Sequence, residues 1–145
     1  RLAQQLCLRP LEWPWSVAED PAIVLTALAQ QQPGWLLPLP LDPGADLAVP
    51  GCWADALAAW RQPTLLLLSA EGVAAGQHRA YRALLELAGV PLLGLVQLEQ
   101  PWRPEQRRSD GLPWLGCLAQ GNGLDDPALA WLIQRRWAVL QGAQA

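Results

Sequence analysis

Between Pro63 and Glu99 the spacing of apolar positions changes twice. Thr64 to Leu68 is a short continuous apolar run, the pattern of a strand covered on both faces, and Val90 to Leu98 is a second run rich in Leu and Val. Between them Ala80, Leu84, Leu87 and Ala88 recur at helical spacing, Arg79, Arg82 and Glu86 fall mostly elsewhere, and Gly89 stands where a helix would stop. Strand, crossover helix and strand make one parallel unit. Such units are nearly always right-handed and build open α/β sheets.

The rest of the pattern extends this unit. Leu2 to Leu8 reads as the tail of a helix, and RPLEWPWS, residues 9 to 16, as a proline-interrupted loop. Ser16 with Glu19 has capping-box spacing before a helix running to about Gln31, and Pro33-Gly34 ends it. Trp35 to Leu41 can be a strand only at its start, because Pro38 and Pro40 remove ladder donors. Cys52 to Trp60 reads as a short helix, Gln100 to Gly111 as a polar loop or irregular helix, and Leu112 to Leu118 as the last strand. Asp125 and Asp126 sit where a helix macrodipole favours acids, ahead of the terminal helix ALAWLIQRRWAVLQ. Strands near residues 36, 66, 94 and 115 predict a doubly wound, mostly parallel sheet, with ligands at the carboxyl edge of its strands.

With 145 residues, 52% of them hydrophobic, the chain can bury the core of one domain, residues 1 to 145. All ten basic residues are Arg, so neither a Walker A lysine nor Schiff-base lysine chemistry is available. A formal charge of -3 and scattered arginine pairs, Arg107-Arg108 and Arg135-Arg136, argue against nucleic acid as a partner. No apolar run is long enough for a membrane span and no leader opens the chain, which predicts a soluble cytoplasmic protein. Cys7, Cys52 and Cys117 are odd in number and far apart, which fits buried free thiols better than a disulfide framework or a metal site. Nine Trp replace an absent Phe and Met, and core filling accounts for such rings, Trp114 included.

Candidate chemistry is sparse. His78 is the only His, so no multi-histidine metal site exists; a solvated or capping role competes with catalysis. Glu71 after a strand fits a catalytic carboxylate or a turn acid. Gly72 to Gly76 has the glycines of a phosphate loop but neither its Lys nor its hydroxyl, which favours a simple strand-to-helix turn. Asp42, Asp46 and Asp55 could ligate a metal, although Asx turns explain the two in the Pro/Gly loop.

GVPLLGLVQLE, followed about fifteen residues later by GLPWLGCLA, resembles the C-terminal part of dethiobiotin synthetase, a MinD-like P-loop NTPase. In that family a loop close to GxxNH leads into a helix, an AGxPLxGxVxN strand and a PxLGxLP turn. Gly76-Gln77-His78, Ala88 to Val96 and Pro113 to Leu118 resemble these in turn, and Gly34 to Leu39 resembles part of the family's EGAGGLLVPL segment. The resemblance covers most of residues 12 to 120. It implies a P-loop-NTPase-like fold and an ATP-dependent carboxylation that closes a ureido ring on a vicinal diamine, with Mg²⁺ bridging the phosphates. It further implies that Gln97 and the main chain of Cys117, Leu118, Ala119 and Gln120 lie near the adenine. Gln77 and His78 would lie near the diamine or a homodimer interface.

The chain departs from the family at named places. The phosphate-binding lysine loop would lie before Arg1, so a fragment is expected, and without a central strand its isolated form should be poorly soluble. Ala29 to Gln32 stands where the family has a metal-binding Glu, Leu98 where it has the base-reading Asn, and Ala119 where the turn has its last Pro. Two alternatives follow: an inactive partner-binding or regulatory module of the same fold, and a different doubly wound enzyme built around Glu71 and His78.

Overall fold

The computed structural model describes residues 1–16, 20–99, 101–119, 123 and 125–142. In chain order these form α1 (Leu2–Gln5), β1 (Arg9–Pro10), α2 (Pro21–Ala29), β2 (Trp35–Leu36), α3 (Trp53–Ala59), β3 (Thr64–Ser69), α4 (Ala70–Ala74), α5 (Gln77–Ala88), β4 (Leu92–Leu98), α6 (Pro104–Ser109), β5 (Trp114–Leu118) and α7 (Leu129–Gly142). The central unit is as its pattern predicts. β3, α5 and β4 form a parallel pair with its crossover, α5 ending at Gly89, and β5 extends the sheet in parallel in the order β3-β4-β5.

Both faces of β4 and β5 are covered, which is why these strands read as continuous apolar runs, whereas β3 is only partly covered. On one face Val96, Leu115 and Leu118 pack against Leu2 and Leu6 of the N-terminal segment and Leu129 and Ile133 of α7. On the other face Leu68 and Leu95 meet Val73 of α4, while Leu66 and Leu92 pack with Leu85 and Val90. β4 and β5 approach closely. A Cβ on Gly94 would lie 2.7 Å from both the Leu115 side chain and the Pro113 carbonyl oxygen, and one on Gly116 would lie 3.1 Å from Asp126. Glycine at these two positions therefore lets the last two strands and the turn before α7 come together.

The structure corrects several expectations at the N-terminal end. Arg9–Pro10 is a short strand rather than loop, and it pairs in parallel with β2 through Arg9 N–H to Gly34 O and Leu11 N–H to Leu36 O, both 2.8 Å. The α2 cap is Asp20, whose carboxylate accepts from Ala22 N–H at 2.9 Å with Pro21 opening the helix; Glu19 of the expected capping box lies outside the described residues. Residues 70–74, where a simple strand-to-helix turn is expected, form α4, with the Ser69 hydroxyl accepting from Gly72 N–H at 3.0 Å. Cys7 is exposed, so only Cys117 fits the buried-thiol expectation fully. The parallel strands also fall into two sheets, of two and three strands, rather than one.

The break between the sheets is apolar. β3 pairs with β4 on one side only and β2 with β1 on one side only. Between the β3 edge and the segment 33–43 that carries β2 lies a cavity of about 1010 Å³. Leu65, Leu67, Leu37 and Leu39 are among the side chains that line it, and Leu67 is 42% exposed although it sits within an apolar strand. Such an edge exposes unpaired backbone groups beside apolar side chains. The 145-residue chain on its own is expected to bind the dye ANS and to associate in solution, while a monodisperse preparation that melts cooperatively without binding the dye contradicts this.

Candidate functional site

The carboxyl ends of β3, β4 and β5 lie along one edge, and the chain leaves each strand through a polar connection. After β4 the backbone turns at Glu99, whose φ of +67° is costly for a residue with a Cβ. Its amide holds the turn by donating to Leu118 O at 2.9 Å, and its carbonyl accepts from the Gln97 side chain at 3.1 Å and the Cys117 thiol at 3.3 Å. After β5, Ala119 N–H donates to the Asp125 carboxylate at 2.9 Å, and Asp126 N–H donates to Cys117 O at 3.0 Å. Asp125 also pairs with Arg1 at 2.8 Å, tying the N-terminus to this turn.

Gln97 organises the edge. It is fully buried, and its amide nitrogen donates to Glu99 O and to Pro101 O at 3.0 Å. Its Oε1 accepts from Arg107 Nε at 3.2 Å and Arg107 Nη2 at 3.1 Å. Both amide protons and the carbonyl are thus used. The Arg107 guanidinium lies 5.2 Å from the centre of the Trp114 ring, which donates through Nε1 to Asp110 at 2.9 Å. The other Asp110 oxygen accepts from Leu112 N–H at 2.9 Å.

Beside this network lies a polar cavity of about 660 Å³, bordered by α4, the start of α5 and α6, with Arg79, Arg103, Arg107, His78, Ser109 and Asp110 in its lining. His78 is 7% exposed, its ring 5.9 Å from Trp114, and its Nδ1 is buried with no partner in hydrogen-bonding geometry. Burial lowers its pKa below 6.5, Arg79 and Arg107 act in the same sense, and Asp110 and the Val73 backbone oppose them. The imidazole is therefore held neutral more firmly than in an open site.

The sequence-predicted residues divide between two places. Gln97 and Cys117 are direct partners across the β4–β5 ladder, as are Leu98 and Leu118, with Ala119 following; Gln120 lies outside the described residues. His78 faces the polar cavity, whereas Gln77 borders the apolar opening beside β3, so these neighbours do not converge. Glu71 is exposed in the first turn of α4. Asp42 makes the expected Asx turn, accepting from Gly44 N–H at 2.9 Å, and also accepts from the Tyr81 hydroxyl at 3.0 Å. Asp55 caps α3 by accepting from Cys52 N–H at 3.1 Å. Burial pushes the Cys117 thiol up, with Asp125 and Asp126 adding to the effect, which favours an un-ionised thiol.

Sequence reasoning passed over Arg79, Arg103, Arg107 and Asp110. Arg103 and Arg107 stand four residues apart just after a strand, and that spacing was the available signal. Among the described residues no group of three His, Cys, Asp or Glu is placed to hold a metal ion, so these residues do not fit the Mg²⁺ that the resemblance implies. No helix among them is long and apolar enough to cross a membrane. Comparison with protein-family models, with curated proteins and with solved structures finds no match to this chain.

The lowered pKa of His78 carries a signed consequence. The unfolded imidazole titrates near 6.5 and the folded one below it, so acidification protonates the unfolded chain first and favours unfolding. Well above 6.5 both states are neutral and the residue contributes no slope. In the protein the urea midpoint is expected to fall more steeply between about pH 7 and pH 5.5 than in His78→Gln, and equal slopes overturn the assignment.

Proposed function

We propose that this chain is the C-terminal part of a dethiobiotin synthetase-like ligase. The reaction is ATP- and Mg²⁺-dependent carboxylation of a vicinal diamine with closure of a ureido ring, in a cytoplasmic homodimer. The observation that carries this reading is the unpaired edge of the apolar strand β3 beside the apolar opening that also borders β2. A P-loop NTPase has a central parallel strand leading into its phosphate-binding loop, and the unpaired β3 edge facing the opening is where such a strand would pair. In this reading that strand and the lysine-bearing loop come from sequence outside the 145 residues, together with the metal ligands. The segments that carry the resemblance, Gly76 to His78, Ala88 to Val96 and Pro113 to Leu118, lie in the parallel sheet β3-β4-β5, its crossover and the turns beside them. No step is assigned to these residues beyond holding nucleotide and diamine.

A second reading is favoured by Gln97. Its amide is wholly engaged with Arg107, Glu99 and Pro101, and the main-chain groups of Cys117 and Ala119 named above are bonded internally. Reading an adenine edge there requires some of these bonds to open. A relative that keeps the fold and has given up nucleotide, as a partner-binding module, is compatible with a closed edge.

The natural-length protein, given ATP, Mg²⁺, bicarbonate and a vicinal diamino acid, is expected to release ADP and a cyclic urea in equal amounts. A folded protein that neither binds ATP nor forms this product contradicts the ligase and leaves the module.

A further inference from the structure

We propose that the polar cavity between α5 and α6 is a binding site for a phosphate monoester, held by Arg79, Arg103 and Arg107. The site is separate from the phosphate loop of the ligase reading, which lies outside these residues, and it stands whether or not that reading does. Three guanidinium groups line the cavity against one carboxylate, Asp110, leaving two positive charges in excess. That matches the charge of a phosphate monoester near neutral pH.

The carboxylate does not quench the arginines. Both Asp110 oxygens are occupied, by Leu112 N–H and Trp114 Nε1, each at 2.9 Å. Among the described residues the ion pairs are Arg1 with Asp125 and Arg82 with Glu86, so Arg79 and Arg103 enter no ion pair there. Arg107 is fixed in place by Gln97 and by the Trp114 ring, with Nε and Nη2 engaged and Nη1 in no hydrogen bond among the described residues. A guanidinium already immobilised loses little side-chain entropy when an anion arrives. The cavity, at about 660 Å³, is larger than a bare phosphate requires and accommodates a small phosphorylated molecule. His78, neutral and nine-tenths buried in the same lining, supplies a ring nitrogen rather than a further charge.

The test uses the protein with phenyl phosphate as probe and malonate as the dicarboxylate arm, read by calorimetry and by Trp fluorescence. Saturable phenyl phosphate binding with a roughly millimolar or tighter Kd is expected. Arg79→Gln and Arg103→Gln should each weaken it by roughly ten- to a hundredfold, the loss of one charged hydrogen bond. Both residues are exposed, so neither variant should lose the fold. Arg108→Gln, one position outside the lining, removes the same charge and should change affinity less than about twofold. Absence of binding, an equal effect of Arg108→Gln, or malonate binding without phenyl phosphate overturns the proposal.

Discussion

A neutral amide buried in an apolar strand leaves about 1–3 kcal/mol unrecovered for each group without a partner. Gln97 meets this constraint by drawing four donors and acceptors to itself, and the rest of the carboxyl edge follows from where they come from. Its two donated bonds fix the backbone at Glu99 and Pro101 just beyond β4, which holds Glu99 in its left-handed conformation. Its acceptor captures Arg107 from α6 and so sets that helix beside Trp114 of β5. Trp114 in turn donates its indole N–H to Asp110 and has the His78 ring tilted beside it, 5.9 Å between centres. The polar cavity exists because these links keep α6 at the sheet edge.

At the other end of the three-stranded sheet the governing fact is a vacancy in pairing. β3 has the composition of an interior strand, TLLLL, and the position of an edge strand. Edge strands are commonly blunted by charge, proline or shortness. β3 carries none of these within residues 64–69, and Leu67 is left 42% exposed. Composition and position disagree by one strand, which is the reason to look for a complementary segment and the physical ground for the ligase reading.

The central parallel unit was legible because its signals agree: two apolar runs, one helical period between them and Gly89 to stop it. The short pieces were less so. β1 contains Pro10 and spans two residues, so no local propensity marks it, and it exists only because Gly34 and Leu36 offer carbonyls at the right register. α4 hid behind Gly72 and depends on a single Ser69 cap. The division into two sheets could not be read locally, since each strand's own pattern is indifferent to whether its neighbour is present. At the site, His78 stood out as the single His and Gln97 through the family resemblance, yet Arg107, which bonds Gln97, lies ten residues away on α6, and Trp114, beside His78, lies on β5. Arg107 looked like half of an isolated surface pair, and only the fold brings it to the Gln97 carbonyl.

In the proposed reading the carboxyl edge of β3-β4-β5 is where this protein meets its ligand. The most direct measurement is a ¹⁵N chemical-shift map of the protein titrated with ATP and Mg²⁺. Saturable changes at the Gln97 side-chain amide and the backbone amides of Glu99, Cys117, Leu118 and Ala119 are predicted. Changes confined to other surfaces, or none at all in a folded protein, contradict it.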